Sequence, residues 1–74
     1  MDQSQNQDNL IYGTVEEALP NALFRVVLDD NKELIMAHLA GKMRRFRIRV
    51  LVGDKVAIQP DQYGSQHRIV KRFN

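Results

Sequence analysis

The chain has no cysteine and no tryptophan, and it carries only two prolines, four glycines and five aromatic residues. Without cysteine there is neither a disulfide framework nor a thiolate metal site, which fits a reducing compartment. No apolar run approaches the length of a bilayer crossing. The first nine residues, MDQSQNQDN, have neither the basic start nor the apolar centre of a signal peptide. These absences predict a soluble intracellular protein with no membrane partner. A chain of 74 residues makes one small domain and buries only about 60% of its unfolded surface, so its fold must be economical.

Acidic residues are missing where basic ones crowd. No Asp or Glu occurs from Leu34 to Gly53, while five of the eight residues from Lys42 to Arg49 are cationic. Residues 1–37 balance at −5 and residues 38–74 at +7, although the whole chain is only +2. Such asymmetry points to a polyanionic partner for the basic half. The plain alternative is that the two halves neutralise each other in the fold.

Residues 1–9 are polar and predict a flexible N-terminal tail; residues 10–74 form the folded domain. Leu10–Leu19 reads as a first strand with Ile11, Gly13 and Val15 on one face, closed by a Pro20-Asn21 turn. Ala22–Leu28 and Glu33–His38 make a hairpin around Asp29-Asp30-Asn31-Lys32. Period-two alternation directs Phe24, Val26, Leu28, Ile35, Ala37 and Leu39 to the core, and leaves Leu23, Val27, Leu34 and Met36 outside as an apolar patch. Leu39 and Met43, four apart, predict one side of a short helix, after which Phe46, Ile48 and Val50 alternate with Arg47 and Arg49 as in a strand. Val52-Gly53-Asp54 turns into a strand over Lys55–Gln59, with Val56 and Ile58 inward. A loop over Pro60–Gln66 leads to a last strand over His67–Phe73, centred on Ile69. Five strands with one helix between the third and fourth is the order of an OB-fold, an all-β, five-stranded Greek-key barrel. An SH3-like barrel competes, and the helix favours the OB-fold.

Catalysis finds little support. Ser65 and His67 lack a nucleophile turn and a matched carboxylate, Glu16 and Glu17 fall on opposite strand faces, and two histidines without metal-ligand spacing make no zinc site. No Gly-rich phosphate loop is present. Nucleic-acid binding fits better. Lys42 and Arg45 share a helical face beside Arg44, and Arg47 and Arg49 extend the charge. Arg68 and Arg72, four apart, are expected on one strand face. The planar guanidinium forks onto phosphate and stacks on bases. Phe46 and Tyr63 either stack on bases or belong to the core, and His38 is either a contact or a half-buried strand residue.

The run GTVEEALPNALFRVVLDDNKELIMAHLAGKMRRFRIRVLVGDKVAI resembles bacterial and plastid translation initiation factor one. The signals are G-T-V, L-P-N-x-x-F-R-V, A-H-x-x-G-K-M-R-[KR], I-R-[IV]-L-x-G-D-K-V and a late R-I-V, in order over about residues 11–72. The resemblance implies a monomeric OB-fold protein that binds the small ribosomal subunit at the A site. It implies contacts to decoding-region rRNA and a neighbouring ribosomal protein, a block on premature admission of tRNA, and cooperation with initiation factors two and three. The family's RNA-contacting positions fall on Lys42, Arg44, Arg45, Arg49, Arg68 and Arg72, and His38 matches its pattern. No cofactor, metal or catalysis is implied. Three departures stand out: an aromatic is usual at Arg47 and a polar residue at Phe46, the last loop is shorter, and Lys71 replaces an aromatic or apolar residue. A general single-stranded RNA-binding module of cold-shock type is the alternative, and a protein-interaction module built on the outer patch is a third reading.

Overall fold

A computed structural model of the chain describes residues 10–61 and 67–73. The expected tail over residues 1–9, and Tyr63 and Ser65 in the last loop, lie outside the described residues. Five strands form the fold: β1 (Ile11–Leu19), β2 (Leu23–Leu28), β3 (Leu34–Leu39), β4 (Lys55–Gln59) and β5 (Arg68–Phe73), with one short helix, α1 (Gly41–Arg45), between β3 and β4. They close into a barrel in the order β1-β2-β3-β5-β4, the Greek-key OB arrangement expected from the element order.

Three antiparallel strands build one wall by alternation. Val15, Phe24, Val26, Leu28 and Ala37 are buried, with Ile11, Ile35 and Leu39 packed partly against them, as the period-two reading placed them. β1 serves two partners, lying along β4 through Ile11–Thr14 and along β2 through Gly13–Leu19. A bulge between Val15 and Glu17 lets it bend from one to the other. At the shared stretch Gly13 opposes Leu28 on one side and Val56 on the other. The loop between β2 and β3 is set by Asn31, whose Oδ1 accepts from the Glu33 N–H at 2.9 Å. β3 meets β5 in parallel over only two pairs, His38 with Arg68 and Leu39 with Ile69.

Three expectations are corrected. Leu39 ends β3 rather than starting a helix, because its N–H donates across to Ala22 O at 3.1 Å. Residues 46–50 are not a strand, for a reason given below. In β5 the ladder steps from Lys71 opposite Ala57 to Ile69 opposite Ile58, which leaves Val70 as an extra residue. That bulge reverses parity, so Arg72 falls opposite Val56 on the core-facing side, whereas Arg68 falls opposite Gln59. The two arginines therefore do not share a face. Ala57 is buried although both its neighbours point inward. It lies between Tyr12 and Lys71 in the ladder, beside a Tyr12–Phe73 ring pair 6.1 Å apart with Lys71 Nζ 5.6 Å from the Phe73 centroid. Those side chains shelter it.

Candidate nucleic-acid interface

The basic segment crosses one end of the barrel between two plugs. Met43, only 3% exposed, and Val50 enter the core, and all six residues between them are exposed, four of them arginine. A five-residue helix has no stability of its own in water. No side chain caps α1, and it is held by tertiary contacts instead, with Ala40 N–H donating to Ile69 O at 2.9 Å.

The helix ends in a Schellman turn. Ile48 N–H donates to Met43 O at 2.9 Å and Arg47 N–H to Arg44 O at 3.1 Å, the two bonds of that motif. The turn requires a left-handed residue, and Arg47 supplies it with φ of 55°. This is why residues 46–50 fail to extend: the chain reverses at Arg47, and only Val50 of the three alternating apolar residues is buried. A side chain at such φ is strained by roughly 1–2 kcal/mol, part of which glycine would return as lost chain entropy. Arg47→Gly is therefore expected to stabilise the fold by about 0.5–1 kcal/mol, read as a raised urea midpoint at unchanged slope. A lowered midpoint would count against the strained turn.

Beyond the plug, four contacts fix the return to β4. Arg72 Nη1 donates to Arg49 O at 2.8 Å and lies 3.8 Å from Asp54 Oδ2. Leu51 N–H donates to Asp54 Oδ2 at 2.9 Å, and Gly53 N–H to Val15 O at 2.8 Å. Gly53, with φ of 97°, makes that turn.

The predicted binding residues separate accordingly. Lys42, Arg44, Arg45, Arg47 and Arg49 stand together on the exposed ridge. Among the described residues no carboxylate is paired with any of the five, whereas Arg25 pairs with Glu17 and Lys55 with Asp29 at 2.6 Å. His38 and Arg68 are exposed and adjacent across the β3–β5 seam, where α1 departs. Arg72 is half-buried and spends its guanidinium on holding the ridge. Its role as a brace was invisible in the sequence, because the bulge that turns it inward leaves no composition signal. His67 is likewise structural: its Nδ1 accepts from Asp61 N–H at 3.1 Å. No group of three or more His, Cys, Asp or Glu side chains fit to hold a metal occurs among the described residues. No described helix is long and apolar enough to cross a membrane. Of the two readings offered for Phe46, its exposure removes the core one, and Leu51 and Val52 are further exposed apolar members that the sequence did not single out. Phe46, Leu51 and Val52 are 64%, 56% and 62% exposed.

The architecture defines a class, the small OB-fold barrels, and one end of this barrel carries a ridge of cations with no paired carboxylate among the described residues. Comparison with known proteins narrows it. The family model described as Translation initiation factor 1A / IF-1 matches residues 1–74. The chain is similar to the solution structure of translation initiation factor one from the Wolbachia endosymbiont strain TRS of Brugia malayi. That match has 35% identity and a TM-score of 0.70, covering 100% of this chain and 90% of that one. It also resembles the crystal structure of YjeQ from Thermotoga maritima, at 28% identity and TM-score 0.73 over 88% of this chain and 23% of that one. YloQ, a circularly permuted GTPase, shares the fold at 20% identity and TM-score 0.74, over 100% of this chain and 25% of that one. The chain belongs to the translation initiation factor 1A / IF-1 family and has a role in translation initiation. The family implies association with the small ribosomal subunit.

Proposed function

We propose that this chain occupies the A site of the small ribosomal subunit, with its ridge against rRNA of the decoding region and beside a neighbouring ribosomal protein. There it blocks premature admission of tRNA and assists initiation factors two and three. The mechanism is steric occupation and a shift in subunit conformation, with no bond made or broken. The observation that carries the reading is the ridge: five cations with no paired carboxylate among the described residues, fixed to a barrel of the family's fold. Like charges held this close repel one another, and a row of phosphates relieves that repulsion. Lys42, Arg44, Arg45, Arg47 and Arg49 supply the phosphate contacts, with His38 and Arg68 as flanking contacts and Tyr63, outside the described residues, as a further RNA contact. Arg72 contributes by bracing Arg49.

Binding to purified small subunits tests this. With about five phosphates neutralised, log affinity falls against log salt with a slope of roughly −3.5 to −4.5. Arg44→Ala with Arg49→Ala flattens that slope by about 1.4 to 1.8 and weakens binding, while the melting curve of the free protein stays in place. Unchanged subunit binding by the double variant sinks the assignment. A general RNA-binding module of cold-shock type would instead bind unstructured RNA as tightly as the subunit, so competition between the two separates the readings.

A further inference from the structure

The wall built from β1, β4 and β5 carries an aromatic surface that the ridge does not use. Ala57 opposes Tyr12 on one side and Lys71 on the other, and in the next row Lys55 opposes Thr14 and Phe73. Residues two apart on a strand share a face, so these side chains leave the wall together. Tyr12 is 46% exposed and Phe73 36%, as is Val70 on the bulge between the rows. The two rings rest over the fully buried Ala57 with their centroids 6.1 Å apart. Rings already packed on one another lose little freedom when a partner covers them. Exposed aromatic and apolar side chains gathered this way mark an interaction surface.

The charge around the rings says what covers them. Among the described residues no carboxylate pairs with Lys71 or with Arg68, while Lys55 is held by Asp29 at 2.6 Å. The wall is therefore cationic. A second copy presenting the same wall brings like charges together and is repelled. A nucleobase needs an open ring face lying parallel to its own. Here the Lys71 ammonium stands 5.6 Å from the Phe73 centroid, and Tyr12 meets that ring at 35°. The Asp29 carboxylate on the same wall repels phosphate as well. A protein segment with carboxylates on either side of an apolar side chain satisfies both features. We propose that this wall docks an acidic protein segment, with Tyr12 and Phe73 as apolar anchors and Lys71 as the partner of a carboxylate. The inference does not depend on the RNA-binding reading of the ridge. It also gives a use to Lys71, a cation where the resemblance leads one to expect an aromatic or apolar residue.

The test follows amide chemical shifts of the full chain as a blocked peptide of alternating glutamate and leucine is added. A peptide of alternating lysine and leucine is the comparison. The glutamate peptide is expected to shift Tyr12, Ala57, Lys71 and Phe73 saturably, and the lysine peptide to leave them in place. The ridge also attracts acids, so the titration is repeated with Arg44→Ala and Arg49→Ala combined, where the shifts on the wall persist. Lys71→Glu weakens binding roughly 10-fold and Lys71→Arg retains it. Phe73→Ala weakens it by a similar factor. Equal shifts from the lysine peptide overturn the proposal in favour of unselective apolar contact. Shifts confined to residues 42–49 overturn it in favour of the ridge. Full affinity in Lys71→Glu overturns the carboxylate contact and the docking with it. Single-stranded RNA that moves the same wall amides in the ridge variant, and displaces the glutamate peptide, gives the wall to nucleic acid instead.

Discussion

Gly13→Ala is expected to unfold this protein or leave it barely folded. A Cβ at that position would stand 2.6 Å from the Val27 carbonyl oxygen, 2.7 Å from Val26 Cγ1 and 3.2 Å from Leu28 Cα. Two of these are backbone atoms in the strand paired to β1, so no rotamer change relieves the contact. The strand cannot retreat either, since Gly13 is bound between β2 and β4 and any shift on one side strains the other. Overpacking a flexible core typically costs 1–3 kcal/mol, and a contact against fixed backbone lies at or above the upper end of that range. A domain of this size has roughly 4–11 kcal/mol to lose. Urea denaturation is the measurement: the midpoint should fall by a large fraction of its value. An alanine variant with the parent's midpoint would mean that the two strands stand farther apart than described.

Ile69→Ala is expected to cost about 3–5 kcal/mol. Ile69 is fully buried and opposes Leu39 on one side and Ile58 on the other, so it is the side chain through which β5 closes the barrel. Truncation removes the side chain beyond Cβ, one methylene and two methyl groups, and leaves a void at the wall that is paired over few residues. Its carbonyl also accepts from Ala40 N–H, which anchors the start of α1. The variant should therefore lose global stability and, in whatever fraction remains folded, lose order in the helix. Circular dichroism melts read the first effect, and amide exchange at Arg44 and Ile48 reads the second. A loss below about 1 kcal/mol would place the closing contact elsewhere.

Most of the barrel was legible because its strands obey one rule. Where a strand is half-buried, alternation selects the inner face, and Arg25 or His38 tells which face is outer. The turns announce themselves through Pro20-Asn21, Asn31 and Gly53, residues that supply the special backbone or side-chain bond each turn needs. The misreadings come from places where that chemistry is concealed. The left-handed turn after α1 is normally signalled by glycine or asparagine, and here an arginine fills it, so residues 46–50 imitate a strand. The bulge at Val70 carries no glycine, which hid the inward turn of Arg72. Leu39 and Met43 fit a helical spacing by coincidence, since β3 hands over to α1 between them. Ala57 fits neither face of its strand, because its shelter comes from residues far away in sequence. In the site itself the cations and their anchor Met43 were legible, but the left-handed turn at Arg47 and the brace from Arg72 were not.

The ends of β3 carry opposite charge. Asp30, Lys32 and Glu33, net −1, stand just before it and Lys42 just after it, with six residues of strand between, about 20 Å of separation. The molecule is thus an electric dipole whose positive pole is the rigid ridge. In the field of a polyanion such a body feels a torque as well as an attraction, and it arrives with its acidic pole trailing. Orientation is settled during approach, before any contact forms. Salt should then act on how fast encounters succeed as well as on how long they last.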